Sequence, residues 1–94
     1  MEFLVRIEVK LPPDMPEQQR QALVSAEAQR GRELIEIGLL KRIWRVPGRL
    51  ANVSLYEAPD ATAVHFAITS LALWPWITAT VEALAVHPLE APTD

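Results

Sequence analysis

The amino-acid sequence predicts an α+β fold with the element order βαββαβ. Three observations indicate it: hydrophobic and polar residues alternate at the start of the chain, two later segments repeat hydrophobic residues at helical spacing, and a Pro-Gly pair separates two β-rich runs. The chain has 94 residues. Because a domain usually needs ~100–200 residues, we expect one domain spanning residues 1–94.

The first strand and the first helix are predicted from the N-terminal part of the chain. Residues 3–10 alternate with a period of two, and Pro12 ends the strand because proline offers no N–H to a neighbouring strand. A long helix is expected from about Met15 to Ile37, with Asp14 as its acidic N-cap. Gly38 stands where a left-handed residue commonly closes a helix, so the helix should end there.

The rest of the chain predicts a β-hairpin, a second helix and a fourth strand. Leu39–Val46 and Leu50–Glu57 are β-rich, and the Pro47-Gly48 pair between them suits a tight turn. Asp60 can cap a helix that ends near Trp74, and its hydrophobic residues at helical spacing are Val64, Ile68 and Leu71. The fourth strand is predicted over Ile77–Val86, followed by a polar tail over residues 87–94.

This order is that of ferredoxin-like folds, in which two helices lie on one face of a four-stranded antiparallel sheet. The other face of the sheet has no predicted cover. It would expose an apolar patch that includes some of Leu40, Trp44, Val53 and Leu55. We therefore expect a homo-oligomer whose dimers form through the sheet.

Composition argues against several classes of partner. The formal net charge is −3 and the nine Lys and Arg residues are spread along the chain, so no nucleic-acid partner is expected. The longest apolar stretch, residues 70–77, is far shorter than the ~18 residues of a membrane span, so no membrane partner is expected either. The chain has no cysteine, and residues 1–6 do not resemble a secretion leader, so we expect a cytoplasmic location.

Two charged side chains fall inside the apolar sector predicted for the first helix. Glu27 and Arg30 project into this sector at 100° per residue, and its apolar members are Leu23, Ala26, Leu34 and Ile37. A charge aimed at a core is costly unless it is paired or solvated in a cavity. Two interpretations stay open: a structural Glu27–Arg30 pair, or a pocket in which Glu27 acts as a general base.

The predicted hairpin carries four polar residues: Lys41, Arg45, Asn52 and Ser54. A two-residue turn places Ile43 opposite Asn52 and Lys41 opposite Ser54, which puts the polar residues on one face with Arg45. Asn52 is the most informative, because an amide in mid-strand is unfavourable and needs a partner when it is buried. That partner is either a backbone group or an oxygen of a substrate.

Motifs for other chemistry are absent from the sequence. It has no Gly-rich phosphate loop, no Gly-x-Ser-x-Gly elbow and no cysteine nucleophile, so any reaction is expected to need no cofactor and no metal. The aromatic residues Trp44, Trp74, Trp76 and Tyr56 are interpreted either as walls of a pocket for a flat ligand or as core and interface packing.

Four segments match a known pattern in order and spacing. They are Phe3-x-Val5 with Val9-Lys10-Leu11-Pro12-x-Asp14-Met15, Trp44-Arg45-x-x-Gly48-x-x-Ala51-Asn52-x-Ser54, Leu71-x-Leu73-Trp74-Pro75-Trp76, and Val81 followed by Leu84 and His87-Pro88. Together they resemble the muconolactone Δ-isomerase family over almost the whole chain.

The resemblance implies a ferredoxin-like subunit of a large ring-like homo-oligomer, commonly a decamer of dimers. It also implies a cofactor-free isomerase of aromatic-compound catabolism, which converts muconolactone to 3-oxoadipate enol-lactone in the β-ketoadipate pathway. Glu27 would then shuttle the proton, with Asn52 as its main polar helper. Arg45 or Lys41 would supply donors or bind the carboxylate of the substrate. The predicted substrate-binding residues are Arg45, Lys41, Ser54 and Trp76.

The sequence departs from the usual pattern of the family at several positions. Trp74 and Trp76 stand where Phe and Tyr are typical, Leu50 where an aromatic residue is typical, and Thr78 and Thr80 where acidic residues are expected. These changes predict a different pocket shape and polarity. The alternatives are a related enzyme for a methyl- or chloro-substituted muconolactone, and a non-catalytic ferredoxin-like oligomer that binds a small hydrophobic ligand.

Overall fold

The structure, a computed structural model, describes residues 1–90 and confirms the predicted βαββαβ order. The elements are β1 (Glu2–Val9), α1 (Glu17–Glu36), β2 (Leu40–Arg45), β3 (Ala51–Glu57), α2 (Ala61–Thr69), a single 3₁₀ turn (Trp74–Trp76) and β4 (Ile77–Leu84). The four strands form one antiparallel sheet in the order β2-β3-β1-β4. Residues 91–94 of the predicted polar tail lie outside the described residues.

The core lies between the two helices and one face of the sheet. Alternation along β1 places Phe3, Val5 and Ile7 on that face, where all three are buried. Leu34 of α1 and Val64 of α2 join them in one hydrophobic cluster. Both helices therefore cover the same face, as the ferredoxin-like prediction requires.

The first helix packs on the core over only part of its length. Leu34 has no exposed surface, whereas Leu23 is half-buried and Ala26 is exposed. The prediction of Ile37 as a core-facing residue was wrong: it is 63% exposed, because α1 ends at Glu36 and the chain turns away at Gly38. The predicted left-handed conformation of Gly38 is confirmed by its φ of +82°.

The start of the first helix and the end of the second helix differ from the prediction. The first helix begins at Glu17 after Pro16, with no side-chain cap, so Asp14 is not its N-cap. The second helix begins as predicted, since Asp60 accepts a hydrogen bond from the Ala63 N–H at 2.9 Å. It ends early, at Thr69, with Ser70 as its C-cap, and the chain then turns before the 3₁₀ turn.

The β2–β3 hairpin has a longer loop than predicted. The Val46 N–H donates to the carbonyl of Ala51 at 3.0 Å, so residues 47–50 all lie in the loop, with Gly48 at φ +75°. Arg45 consequently pairs with Asn52, and Ile43 pairs with Ser54; the predicted register was wrong by two residues. Because a shift of two preserves the alternation of faces, these side chains still lie on the helix-covered face.

Lys41 does not follow this alternation. The ladder is irregular between Leu40 and Arg42, with Leu40 opposite Tyr56 and Arg42 opposite Leu55, which leaves Lys41 as the extra, exposed residue of a bulge. The prediction that Lys41 lies opposite Ser54 was therefore wrong.

The face of the sheet away from the helices is uncovered in this chain. Leu4, Val53 and Leu55 are half-buried there, and Trp44 is 44% exposed with the Arg42 guanidinium 5.0 Å from its ring centre. Leu40, which we also predicted for this patch, is instead buried in the core. Within residues 1–90, no helix has the length and hydrophobicity needed to cross a membrane.

Candidate active site

A cavity of about 380 Å³ lies between α1 and the strands β1, β2 and β3, and the segment after α2 closes one side. Its wall is mainly apolar, with contributions from Ile7, Val24, Leu34, Ile43, Leu71 and Leu73. A mostly apolar pocket of a few hundred Å³ with a few polar groups is typical of sites for small molecules. The polar side chains in this wall define the candidate site.

Glu27 contributes a carboxylate to the cavity from the middle of α1. It is half-buried, and its Oε1 atom accepts a hydrogen bond from the Leu73 N–H at 3.4 Å. Burial raises the pKa of Glu27 above its ordinary value, and the backbone N–H groups of Leu73 and Ala72 oppose the rise. A carboxylate with a raised pKa is a better proton acceptor than an ordinary glutamate.

Arg30 does not neutralise this carboxylate. Its guanidinium lies 3.4 Å from the Glu33 carboxylate and donates to the Ser70 hydroxyl at 2.8 Å. Within residues 1–90, Glu27 forms no ion pair with any Lys or Arg side chain. Of the two interpretations left open by the sequence, the geometry favours the pocket over the structural Glu27–Arg30 pair.

Asn52 lines the same cavity from β3. The side-chain Oδ1 atom is fully buried and has no hydrogen-bond partner among the described residues. The Nδ2 atom of Asn52 is not buried without a partner in this way, so the hydrogen-bond donor of the amide is accessible. An accessible donor in an apolar cavity is suited to an oxygen atom of a ligand.

Ser54 and Tyr56 follow Asn52 on the same face of β3, and both line the cavity. The Ser54 hydroxyl is buried and donates to the carbonyl of Val5 at 3.5 Å. Burial raises the pKa of Tyr56 to about 12; the nearby charge of Glu27 adds to the rise and that of Arg30 opposes it. The sequence predicted Ser54 as a site residue, and it left Tyr56 open as either a pocket wall or core packing.

The structure brings four of the predicted site residues together: Glu27, Asn52, Arg45 and Ser54 all line the cavity. It does not bring Lys41 or Trp76 to the cavity. Lys41 lies on the bulge of β2, while Trp76 ends the 3₁₀ turn that leads into β4, at the opposite edge of the sheet.

Sequence reasoning missed two arginines of α1, Arg20 and Arg32, which also line the cavity. Arg20 precedes Glu27 by two helical turns and therefore shares its side of the helix, a signal available from the sequence. Arg32 lies further round the helix from Glu27, and its guanidinium donates a hydrogen bond to the side chain of Gln29 at 3.1 Å. No pattern in the sequence indicated that Arg32 would line the cavity. Leu50, a departure from the family pattern, does line the cavity.

The described residues contain no group of three or more His, Asp or Glu side chains placed to hold a metal ion. The site consists of a carboxylate, an amide, hydroxyls and guanidinium groups around an apolar cavity. These groups can accept a proton, donate hydrogen bonds to an oxygen that gains charge, and bind an anionic substituent.

The fold and the site together define a ferredoxin-like α+β protein with a small acid–base pocket between its first helix and its sheet. Comparison with known proteins places it more narrowly. The chain belongs to the muconolactone delta-isomerase family, whose sequence model matches residues 1–90.

Individual relatives match the chain over nearly their whole length. The chain is 35% identical to the muconolactone Delta-isomerase of Pseudomonas aeruginosa and 33% identical to that of Acinetobacter baylyi; each alignment covers 100% of this chain and 98% of the relative. A crystal structure of muconolactone isomerase superposes with a TM-score of 0.90 at 32% identity, covering 100% of this chain and 98% of that one. The predicted resemblance and fold are confirmed.

Proposed function

We propose that this protein is an isomerase that moves a proton within muconolactone to give 3-oxoadipate enol-lactone, a step of aromatic-compound catabolism. One observation carries the proposal: the Glu27 carboxylate lies half-buried against an apolar cavity, has a raised pKa, and has no cationic partner among the described residues. Family membership supports the choice of reaction. The non-catalytic alternative is not favoured, because it relies on mutual neutralisation of Glu27 and Arg30.

In the first step Glu27 removes a proton from a ring carbon whose C–H bond is acidified by conjugation with the lactone carbonyl. The C–H electron pair moves through the ring, and the negative charge collects on the carbonyl oxygen as a dienolate. Protonated Glu27 then returns the proton to a different carbon of the same system. The reaction needs no net proton donor or proton acceptor, because one proton leaves the substrate and one proton returns to it.

The other polar groups bind the substrate and stabilise the charge. The accessible amide nitrogen of Asn52 donates to an oxygen of the lactone, where the dienolate charge develops. Arg45, directly opposite Asn52 in the sheet, binds the carboxylate side chain of the substrate through its guanidinium. Arg20 lines the same cavity and adds positive potential for an anionic substrate.

The direct test is an ultraviolet assay of purified protein with muconolactone and with its methyl- and chloro-substituted analogues. We expect conversion of at least one of these lactones by the enzyme without added metal or cofactor. No conversion of any lactone by protein that is folded by circular dichroism contradicts the proposal. The rates for the three lactones also rank the substituents that the cavity accepts.

We also propose that the protein is a homo-oligomer built from dimers, with a second copy covering the exposed face of the sheet. The patch of Leu4, Trp44, Val53 and Leu55 supports this, because isolated chains seldom leave an apolar sheet face in water. Light scattering should give a mass well above that of one 10.5 kDa chain. A stable monomer contradicts the proposal.

The cytoplasmic location of the protein stays a prediction from the sequence.

A further inference from the structure

Tyr56, interpreted from the sequence either as a pocket wall or as core packing, has an unusual position in the sheet. In the sheet it lies between Phe3 of β1 and Leu40 of β2, both buried, and its own side chain is only 2% exposed. It nevertheless lines the cavity that contains Glu27. Tyr56 is the single tyrosine of the chain.

The hydroxyl of Tyr56 has no partner in the described part of the protein. A buried tyrosine usually hydrogen-bonds its hydroxyl, because an unpaired polar group away from water is costly. The Tyr56 hydroxyl makes no such bond within residues 1–90, yet it is not sealed from solvent in the way that Asn52 Oδ1 is. Because Tyr56 is otherwise buried, the accessible part of its hydroxyl opens into the cavity.

The surroundings keep this hydroxyl protonated. Burial, followed by the negative charge of Glu27, raises the pKa of Tyr56 to about 12, against the opposing charge of Arg30. Near neutral pH the group is therefore a neutral O–H that can donate a hydrogen bond and cannot serve as a base. Tyr56 and the carboxylate that we propose as the base line the same cavity.

We propose that Tyr56 is a further catalytic residue, whose hydroxyl donates a hydrogen bond to the lactone oxygen on which charge collects. The inference rests on the proposed isomerase function. As Glu27 takes the proton, its own charge disappears and an equal charge appears on the substrate oxygen. The Tyr56 hydroxyl keeps its proton throughout and becomes a better donor when the neighbouring carboxylate is neutralised, which is when the oxyanion needs it.

Replacement Tyr56→Phe tests the inference because it removes one oxygen atom and keeps the buried ring. We expect kcat to fall on the order of 100-fold, the usual loss for one donor to an oxyanion, with KM changed less than about threefold. Thr62→Val is the matched control: it also removes one hydroxyl, but from the exposed surface of α2 and outside the cavity. A packing role alone would leave kcat of Tyr56→Phe unchanged, and that result overturns the inference.

A second measurement does not depend on turnover. Tetronic acid, whose ring is a stable lactone enolate at neutral pH, serves as a probe of charge stabilisation, and γ-butyrolactone serves as its neutral counterpart. Because the chain has one tyrosine, protein labelled with [¹³Cζ]tyrosine gives a single reporter resonance from Tyr56. We expect tetronate to shift this resonance, and Tyr56→Phe to weaken tetronate binding about tenfold without weakening that of γ-butyrolactone.

The two measurements separate this inference from the proposed function. If the wild-type protein isomerises lactones but tetronate leaves the Tyr56 resonance unmoved and Tyr56→Phe is fully active, the inference fails alone. If no lactone is converted but tetronate shifts the resonance, the hydrogen-bond donor is supported and the isomerase proposal fails. If neither effect occurs, both are overturned.

Discussion

The backbone N–H of Leu73 donates a hydrogen bond to Glu27 Oε1 across 3.4 Å, joining the middle of α1 to the segment that follows α2. This contact depends on the early end of α2 at Thr69, after which the chain turns back and places Leu71 and Leu73 in the cavity wall. The hydrogen bond holds the Oε1 oxygen of the carboxylate toward the segment after α2. The proposed base is thus oriented by backbone rather than by a cation, which leaves its basicity high.

The first prediction concerns the base itself. Glu27→Gln keeps the shape of the side chain and an acceptor for the Leu73 N–H, but it cannot take a proton. We expect kcat for lactone isomerisation to fall by at least ~100-fold. Glu36→Gln, an exposed carboxylate at the end of the same helix, is the control and should retain wild-type turnover. Wild-type activity in Glu27→Gln would remove Glu27 from the mechanism.

The second prediction follows from the cost of burying the Glu27 charge. The pKa of Glu27 is raised in the folded state, so its ionisation opposes folding at pH values above that raised pKa. At pH 7 we therefore expect Glu27→Gln to have a higher melting temperature than the wild type. The difference in melting temperature should shrink as the pH falls through the raised pKa. It should vanish below the ordinary value of 4.5, where Glu27 is protonated in both the folded and the unfolded wild type.

Thermal unfolding followed by circular dichroism at a series of pH values measures this difference. Glu90→Gln, an exposed carboxylate outside the helices and strands, serves as the control here, and its melting temperature should follow that of the wild type. A lower melting temperature for Glu27→Gln at pH 7 would mean that the ionised carboxylate stabilises the fold. That result would contradict the conclusion that Glu27 is desolvated and has no cationic partner among residues 1–90.

The third prediction is the pH dependence of the reaction. Since Glu27 acts in its ionised form, kcat/KM should rise with pH through the pKa of this group in the free enzyme. Burial raises that pKa, so the midpoint of the acid limb should lie above the ordinary 4.5. A pH–rate profile in buffers of constant ionic strength measures it. A midpoint at or below 4.5 would show that the active base is not desolvated.

Much of the fold follows from local features of the sequence. The alternation in β1, the left-handed Gly38 and the Asp60 cap each depend on neighbouring residues alone, and the structure confirms all three. The hairpin register was wrong by two residues because residues 47–50 all lie in the loop, where the Leu50 carbonyl accepts a hydrogen bond from the Val9 N–H of β1. A contact with a distant strand is not visible in the sequence of the hairpin. The side chains were nevertheless assigned to the right face of the sheet, because a register error of two residues preserves the alternation of faces.

Part of the candidate site was also predictable from local features of the sequence. Glu27 and Asn52 break the pattern of their own elements, and such breaks are visible in a sequence. The separation of Glu27 from Arg30 was not visible, since Arg30 is held by Ser70 from a distant part of the chain. The bulge that moves Lys41 away from the cavity is likewise a property of the paired strands rather than of either strand alone.

The fourth prediction separates function from stability at Asn52. Asn52→Ala removes the accessible amide donor, so we expect kcat/KM to fall about 10- to 100-fold. It also removes a buried Oδ1 that has no partner among residues 1–90, so the melting temperature should not fall. Asn52→Asp should lose more activity than Asn52→Ala, because it places a second negative charge in the cavity of Glu27. Equal activity of wild type and Asn52→Ala would contradict the donor role.

The fifth prediction distinguishes the two faces of β2. Arg45 lines the cavity, whereas Arg42 lies on the opposite face over the ring of Trp44. If the Arg45 guanidinium binds the substrate carboxylate, Arg45→Gln should raise KM about tenfold or more with a smaller change in kcat. Arg42→Gln loses the same charge and should leave KM unchanged in the assembled protein. Equal effects of the two substitutions would mean that general positive potential, and not a contact from Arg45, attracts the anion.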